Sequence, residues 1–491
     1  MMNTSSGAGI DWPAAGPGPW LIGRMRRVSR MIPLPAGGAL GRLLAGPAKC
    51  NQRACRSVRV YAWNLGKAAA MAGLRRSVLV GTCALGVAVA LTATAGAATQ
   101  ARVAAQGMKA TGTGGWQVTA AIHPAKNSRV FMSGVSAPAA DDVWAVGGTL
   151  TSSGQSFPVL EHWNGHRWKS VVMPRSFAGV PFEPYQVAAS SGADVWVFTS
   201  AGKVPWHTAG QWAHWNGRSW STGALPAVRV AGDSSPVVTI TAAAAPGGDD
   251  VWVGATVADG QSKFGLPAAA FLASYDGHAW RTYRFPQTMP DIIGISALSR
   301  TDIWADVSGG QGTSGVGEVV TNRNILLHWD GSSLRQIPAP AALYAAAITG
   351  ESAHAAWVTG QVTVKKSYDP GAAYWNGKRW TIVPDPALAT TQWRPADSSE
   401  TLTSAVSDGN GGLWAVAEPY PPLLGSLPGQ ASIWHYTNGR WTGVHLNRLG
   451  YLNLLQLARA PGSTSIWAAG TTVTTAVPGY PQDGAILRYE N

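Results

Sequence analysis

The residues able to do chemistry are few, and their placement limits what they can do. The 491 residues contain three cysteines, Cys50, Cys55 and Cys83, and none follows residue 97. The long C-terminal part of the chain therefore has no disulfide, thiolate metal site or cysteine nucleophile. A core of its size holds without disulfides. Cys50 and Cys55 have no second pair and no nearby histidine, so they read as incidental thiols rather than a zinc site. Among the histidines, His162, His214 and His328 recur one residue before a Trp. Repeated use of one place argues for packing or hydrogen bonding, not metal ligation. Residues 98–491 hold 24 Asp and Glu. Asp141, Asp142, Asp194, Asp249, Asp250 and Asp302 fall where turns are expected, and turn chemistry accounts for them. No catalytic set, metal set or cofactor motif emerges.

What remains are aromatics. The chain has 24 Trp against 8 Phe. Many sit in a recurring phrase: Asp-Val-Trp, a variable stretch, Trp-Asn-Gly-x-x-Trp, then Pro. Its first Trp falls at 144, 196, 252, 304, 357, 414 and 467, seven copies over residues 115–491. A period near 50 residues with strand-like content is the mark of propeller blades. The first copy parses into four strands: Val130 to Ala137, Val143 to Val146, Val159 to Trp163, and a last one starting at Trp168 and ending before Pro174. Asn164-Gly165 between the third and fourth reads as a tight hairpin turn with positive φ at both residues. The first strand is small in most copies, as the crowded axis of a ring requires. The last copy stops after its third strand, while Gly115-Trp116-Gln117-Val118 looks like a fourth strand with no blade of its own. The expected fold is all-β: a seven-bladed β-propeller whose N-terminal strand completes the last blade and removes two open sheet edges.

The run Val143-Trp144-Ala145-Val146-Gly147-Gly148, then Trp-Asn-Gly, then Trp and Pro, resembles the kelch repeat. It is also similar to the propeller domain of galactose oxidase and of exported actinobacterial proteins. The resemblance covers about 115–491 and implies architecture; the double glycine stands only in the first copy. The oxidase activity does not carry over, because its Tyr–Cys cross-link needs a cysteine after residue 97. The Ser-x-Asp-x-Gly-x-Thr-Trp boxes of sialidases are absent.

The formal net charge of +12 belongs to the leader. Residues 1–97 hold 12 Lys and Arg against Asp11 alone; residues 98–491 are nearly neutral, at 25 against 24. A neutral body lacks the electrostatic footprint of a nucleic-acid binder. Met71 to Arg76 is a short positive segment, Ser77 to Ala93 an uncharged apolar run, and Ala95-Gly96-Ala97 a small-x-small cleavage site. Residues 71–98 thus read as a signal peptide, with an uncleaved membrane anchor through 77–97 as the alternative. Residues 1–70 read as a disordered basic leader, either upstream of a true start at Met71 or a cytoplasmic tail, and 99–114 as a linker. The expected place is extracellular or at the cell surface.

In an up-and-down blade, loops alternate between two faces. The turns between first and second and between third and fourth strands are short. The second-to-third and fourth-to-first connections vary, and a function is expected on their face. Trp206, His207, Tyr368, Trp393, Tyr420 and Tyr480 fall on these connections and are the candidate ligand-binding residues. The expected function is non-catalytic binding of a cell-wall glycan or a protein partner. The alternative is a carbohydrate-active enzyme with loop carboxylates near the axis.

Overall fold

The computed structural model describes residues 115–490, with interruptions confined to connections and strand ends; the longest run over 200–209, 227–236, 309–323, 385–398 and 421–431. The leader, the signal or anchor segment and the linker, all within residues 1–114, lie outside the described residues. Among the described residues no helix is long and apolar enough to cross a membrane.

Seven antiparallel sheets form the ring. Blade 1 comprises Ser128–Ala139, Asp142–Thr151, Gln155–Trp163 and Trp168–Ser170. Blade 2 comprises Tyr185–Ser191, Asp194–Thr199, Gln211–Trp215 and Trp220–Ala224. Blade 3 comprises Val237–Gly247, Asp250–Ala258, Pro267–Asp276 and Trp280–Arg284. Blade 4 comprises Asp291–Ser299, Asp302–Ser308, Asn324–Trp329 and Leu334–Pro338. Blade 5 comprises Leu343–Ser352, Ala355–Val364, Ser367–Trp375 and Trp380–Pro384. Blade 6 comprises Ser399–Ser407, Leu413–Tyr420, Ser432–Thr437 and Arg440–His445. Blade 7 takes Tyr451–Arg459, Ile466–Val473 and Gln482–Tyr489 from the chain's end and Trp116–Ile122 from its start. The strands of each blade are called a to d from the axis outward. Blade 1 adds a two-residue piece, Val180–Pro181, against Gln155 and Ser156.

The aromatic residues build the seams. Within five c–d hairpins the repeat sets an aromatic pair directly opposite: Trp163 and Trp168, Trp215 and Trp220, Tyr275 and Trp280, Trp375 and Trp380, Tyr436 and Trp441; in blade 4 Trp329 faces Leu334. The strand-b Trp of one blade packs against the pair of the next. Trp196 meets Tyr275 at 5.4 Å, Trp252 meets Trp329 at 5.6 Å, and Trp467 meets Trp168 at 5.7 Å. A fully buried aromatic of this size contributes on the order of 3 kcal/mol or more from area alone. The blades are apolar on both faces because each is covered on both.

Ring closure repeats this logic with residues from the two ends. Trp116 stands opposite Tyr489, the sixth such aromatic pair, with ring centroids 5.6 Å apart. Trp116 is fully buried and meets Trp414 of blade 6 edge-on. In place of a covalent turn, the Glu490 amide donates to the Gly115 carbonyl at 3.4 Å. Farther along, the Thr119 hydroxyl donates to the Ile486 carbonyl, and His123 Nδ1 lies 3.1 Å from Asp483. The neighbouring blade adds a bond from Trp168 Nε1 to Thr119.

The c–d turns differ from the expected two-residue form. At Asn164-Gly165 the loop has four residues between Trp163 and Trp168, and only Gly165 has positive φ. The Asn164 side chain accepts from the amides of His166 and Arg167 and so holds the loop. Asn216, Asp276, Asp330 and Asn376 do the same. Only Asn438-Gly439 makes the two-residue turn, with φ of 51° and 77° and Thr437 opposite Arg440.

Candidate functional site

The short-turn face is occupied by structural work. In four blades a His from strand c stacks on the strand-b Trp and meets an Asp at the start of strand b or in the turn before it. His162 lies 2.8 Å from Asp142, His214 2.8 Å from Asp194, His328 2.8 Å from Asp302 and His435 2.9 Å from Asp408. The stacked rings are about 4 Å apart at Trp144, Trp196, Trp304 and Trp414. A carboxylate only accepts, so each imidazole presents its Nε2 proton to the Asp. The structural role expected for His162, His214 and His328 is what the geometry gives. His435 was missed because it precedes Tyr436 instead of a Trp.

The aspartates are more than turn formers. Burial pushes the Asp194 carboxyl up, yet hydrogen bonds from His214, Ser190 and Trp196 outweigh it and hold the group below its ordinary range. Asp408 is likewise raised by burial and brought down further by His435 and the amides of Asn410 and Gly412. Asp250 receives a bidentate ion pair from Arg300 of the next blade, at 2.5 and 3.0 Å. Asp249 lies outside the described residues.

The strand-a walls carry a second regularity. In blades 1, 3, 4, 5, 6 and 7 the a–b ladder shifts register in mid-strand. The extra residues are Ser133, Thr241, Ile293, Ala346, Thr403 and Leu455, and all six line an axial cavity of about 240 Å³. The bulge explains the glycine three places after the Trp in blades 1 and 7. A Cβ on Gly147 would stand 2.0 Å from the Phe131 carbonyl oxygen, and one on Gly470 2.1 Å from that of Asn453. Blade 2 lacks the mid-strand bulge, and there Gln186 lines the cavity. Between blades, side chains catch strand-a amides: Ser136 accepts from Ala189, Ser296 from Gly350, Ser404 from Leu457 and Gln456 from Val135. Among the described residues, no acid and no base lines the cavity.

On the opposite face the strand bounds set connections of unequal length. Thr199 and Gln211 are far apart in sequence, as are Ser308 and Asn324, whereas Val364 and Ser367 are separated by Lys365-Lys366 alone. Trp206, His207, Trp393 and Tyr480 lie outside the described residues. Tyr368 and Tyr420 belong to strands and not to loops: Tyr368 stands opposite Thr363 in the b–c ladder of blade 5, and Tyr420 opposite Ser399 at the end of blade 6 strand b. Strand pairing runs farther toward this face than the apolar pattern alone implied. Phe157 likewise lies in strand c of blade 1, opposite Thr149.

One titratable group had no sequence signal. Glu161 is 1% exposed in strand c of blade 1, on the face shared with Val159 and Trp163 that packs toward blade 7. Ser170 donates to one of its oxygens at 2.7 Å, and the other has no partner among the described residues. Burial pushes its carboxyl from 4.5 up to about 7, with the Ser170 bond opposing.

No protein-family model matches the chain, and no curated protein matches it. Solved structures do resemble it. The fucose-specific lectin from Aleuria aurantia aligns with 13% identity and a TM-score of 0.36, over 65% of this chain and 96% of the lectin. The β-propeller domain of the Trilobed protease from Pyrococcus furiosus aligns at 8% identity and a TM-score of 0.45, over 74% and 96%. Trypanosoma rangeli sialidase aligns at 9% identity and 0.39, over 76% and 56%. At these values the likenesses concern propeller architecture and carry no argument about activity.

Proposed function

We propose that this protein is an exported, cell-surface or secreted propeller that binds a glycan or protein partner, without catalysis, through the face bearing the b–c and d–a connections. One observation carries the reading: the contrast between the two faces. On the short-turn face four His–Asp pairs are tied together and stacked on Trp, and the Asn and Asp side chains of five c–d turns are tied to turn amides. Side chains committed in this way are not free to meet a ligand. The other face varies in connection length from blade to blade, which is where a rigid ring acquires specificity. Candidate contact residues there are Trp206, His207, Tyr368, Trp393, Tyr420 and Tyr480, aromatics suited to stacking on sugar rings or anchoring a partner. Export rests on the 71–98 segment, and the kelch-like assignment on the Val-Trp-Ala-Val-Gly-Gly phrase ending at Gly148.

A glycan array combined with pull-down from cell-wall material tests this. Saturable binding without turnover, weakened by Trp206→Ala or Tyr480→Ala, is the expected result. Turnover of a bound glycan would replace the reading with the carbohydrate-active enzyme. Absence of any ligand would leave a purely structural envelope role.

A further inference from the structure

The Asn-Gly sequences of the chain are chemically alike and structurally unlike. They begin at Asn164, Asn216, Asn376, Asn410 and Asn438. A glycine after asparagine has no Cβ to shield its amide nitrogen. That nitrogen can attack the asparagine carboxamide carbon and close a cyclic imide. Closure requires the peptide plane between the two residues to rotate, so whatever anchors the side chain or the backbone there opposes it.

Exposure does not separate these asparagines, since Asn216, Asn376, Asn410 and Asn438 are all exposed. Anchoring does. Asn164 Oδ1 accepts from the amides of His166 and Arg167 at 3.3 and 3.1 Å. Asn216 Oδ1 accepts from Arg218 and Ser219 at 3.0 and 2.9 Å, and Asn376 Oδ1 from Lys378 and Arg379 at 3.1 and 3.0 Å. Rotation would break these bonds and disturb the aromatic pairs that the loops join. Asn438 lacks such a bond, but its backbone is locked in the two-residue turn, with φ of 51° and Thr437 opposite Arg440.

Asn410 has neither restraint. It lies in the a–b turn of blade 6, between Ser407 and Leu413. Asp408 Oδ1 collects the amides of Asn410 and Gly412 at 2.7 and 2.8 Å, and the Asp408 amide donates to the Gly412 carbonyl at 3.0 Å. These bonds pin the ends of the loop and pass over Gly411. Neither the Gly411 amide nor the Asn410 carboxamide has a partner among the described residues. Gly409 and Gly411 flank Asn410 with φ of 82° and 81°, and a Cβ on Gly411 would meet nothing within 4 Å. Nucleophile and electrophile are adjacent, unbonded and in water.

We propose that Asn410 is a site of spontaneous covalent modification, deamidating in the folded protein while the other Asn-Gly asparagines are protected. Hydroxide takes the proton from the Gly411 amide and the nitrogen bonds to Asn410 Cγ. The Cγ–Nδ2 bond breaks, and Nδ2 takes up a proton and leaves as ammonia. Water then opens the imide at either carbonyl carbon, giving aspartate or isoaspartate; nothing is oxidised or reduced. The isoaspartyl product inserts a methylene between the two amides that Asp408 collects, and so loosens the turn carrying the Asp408–His435 pair.

The test incubates the full chain in warm, mildly alkaline buffer, folded and in urea side by side, until the urea sample has reacted. Proteolysis and mass mapping, with detection of isoaspartate, then locate the products. In urea every Asn-Gly has the same surroundings and should react at a similar rate. In the folded chain Asn410 should react about as fast as in urea, and the others roughly tenfold or more slower, because their turns must first open. Asn410→Gln, which would have to close a larger ring, should lose the folded-state product with its melting temperature unchanged. The proposal is overturned if Asn410 is protected as well as the others, if any of those reacts as fast as Asn410 in the folded chain, or if Asn410→Gln leaves the folded-state reaction intact.

Discussion

At the scale of single residues, two kinds of buried polar group set the pH response. The Glu161 carboxyl is raised from 4.5 to about 7, so between these values the folded chain holds a proton that the unfolded chain releases. Its contribution is present below 4.5 and is lost as pH rises through 7, a loss of about 3 kcal/mol for this fully buried group. Asp194 and Asp408 are held below their ordinary range, so their contribution is present at neutral pH and lost as pH falls through the carboxylate range. Stability should therefore peak on the acid side of neutrality. Urea titrations of Glu161→Gln should show a flatter profile across pH 4.5 to 7 than the parent. His214→Ala should cost about 2 kcal/mol, because it removes the charge-assisted bond to the buried Asp194 carboxylate, leaving only those from Trp196 and Ser190, and strips the stack from Trp196. Chemical denaturation at neutral pH measures it. Neither Glu161 nor His435 was legible in the sequence. Glu161 occupies a strand position whose equivalents, Ala213, Ala273 and Leu327, are apolar, and periodicity alone cannot show that one copy has buried a charge.

At the scale of elements, the repeat phrase told most of the story. Its Trp residues mark the seams, its Asn-Gly marks the c–d turns, and strand order follows from the spacing. Turn type did not follow, since Asn164-Gly165 and Asn438-Gly439 read alike, yet the first closes four residues through its Asn side chain and the second closes two through backbone φ. The placement of Asn-Gly between the opposed aromatics decides: four residues separate the pair in both hairpins, but Asn164 follows Trp163 directly, whereas Thr437 stands between Tyr436 and Asn438 and pairs with Arg440. Asn438→Ala should cost about 1 kcal/mol, as alanine resists the left-handed conformation, and thermal denaturation reads it. The inner-strand bulges were also hidden, since an extra residue in a run of small apolar side chains leaves no mark. The glycine of blade 7 is their trace: Gly470→Ala would press a Cβ on the Asn453 carbonyl and should cost up to about 3 kcal/mol.

At the scale of the whole molecule, the ring is held by a strand that covalent order places elsewhere. The sequence made this legible because Trp116 restores the phrase that Tyr489 and Glu490 leave unfinished, and the ladder from Trp116–Tyr489 to Ile122–Gly484 bears it out. The candidate aromatics were less legible: chain position assigns them to a face but not to a common site. The closed ring removes one route to nonspecific association, the open sheet edge. The closure is tested most directly by a cross-link. Val118 and Leu487 stand directly opposite in the closing ladder, and the body has no native cysteine. With Cys50, Cys55 and Cys83 changed to serine, the Val118→Cys/Leu487→Cys pair should oxidise within one chain, giving a single linked peptide on non-reducing mass mapping and a higher melting temperature. Free thiols in the folded, oxidised protein, or links only between chains, would contradict the closed ring.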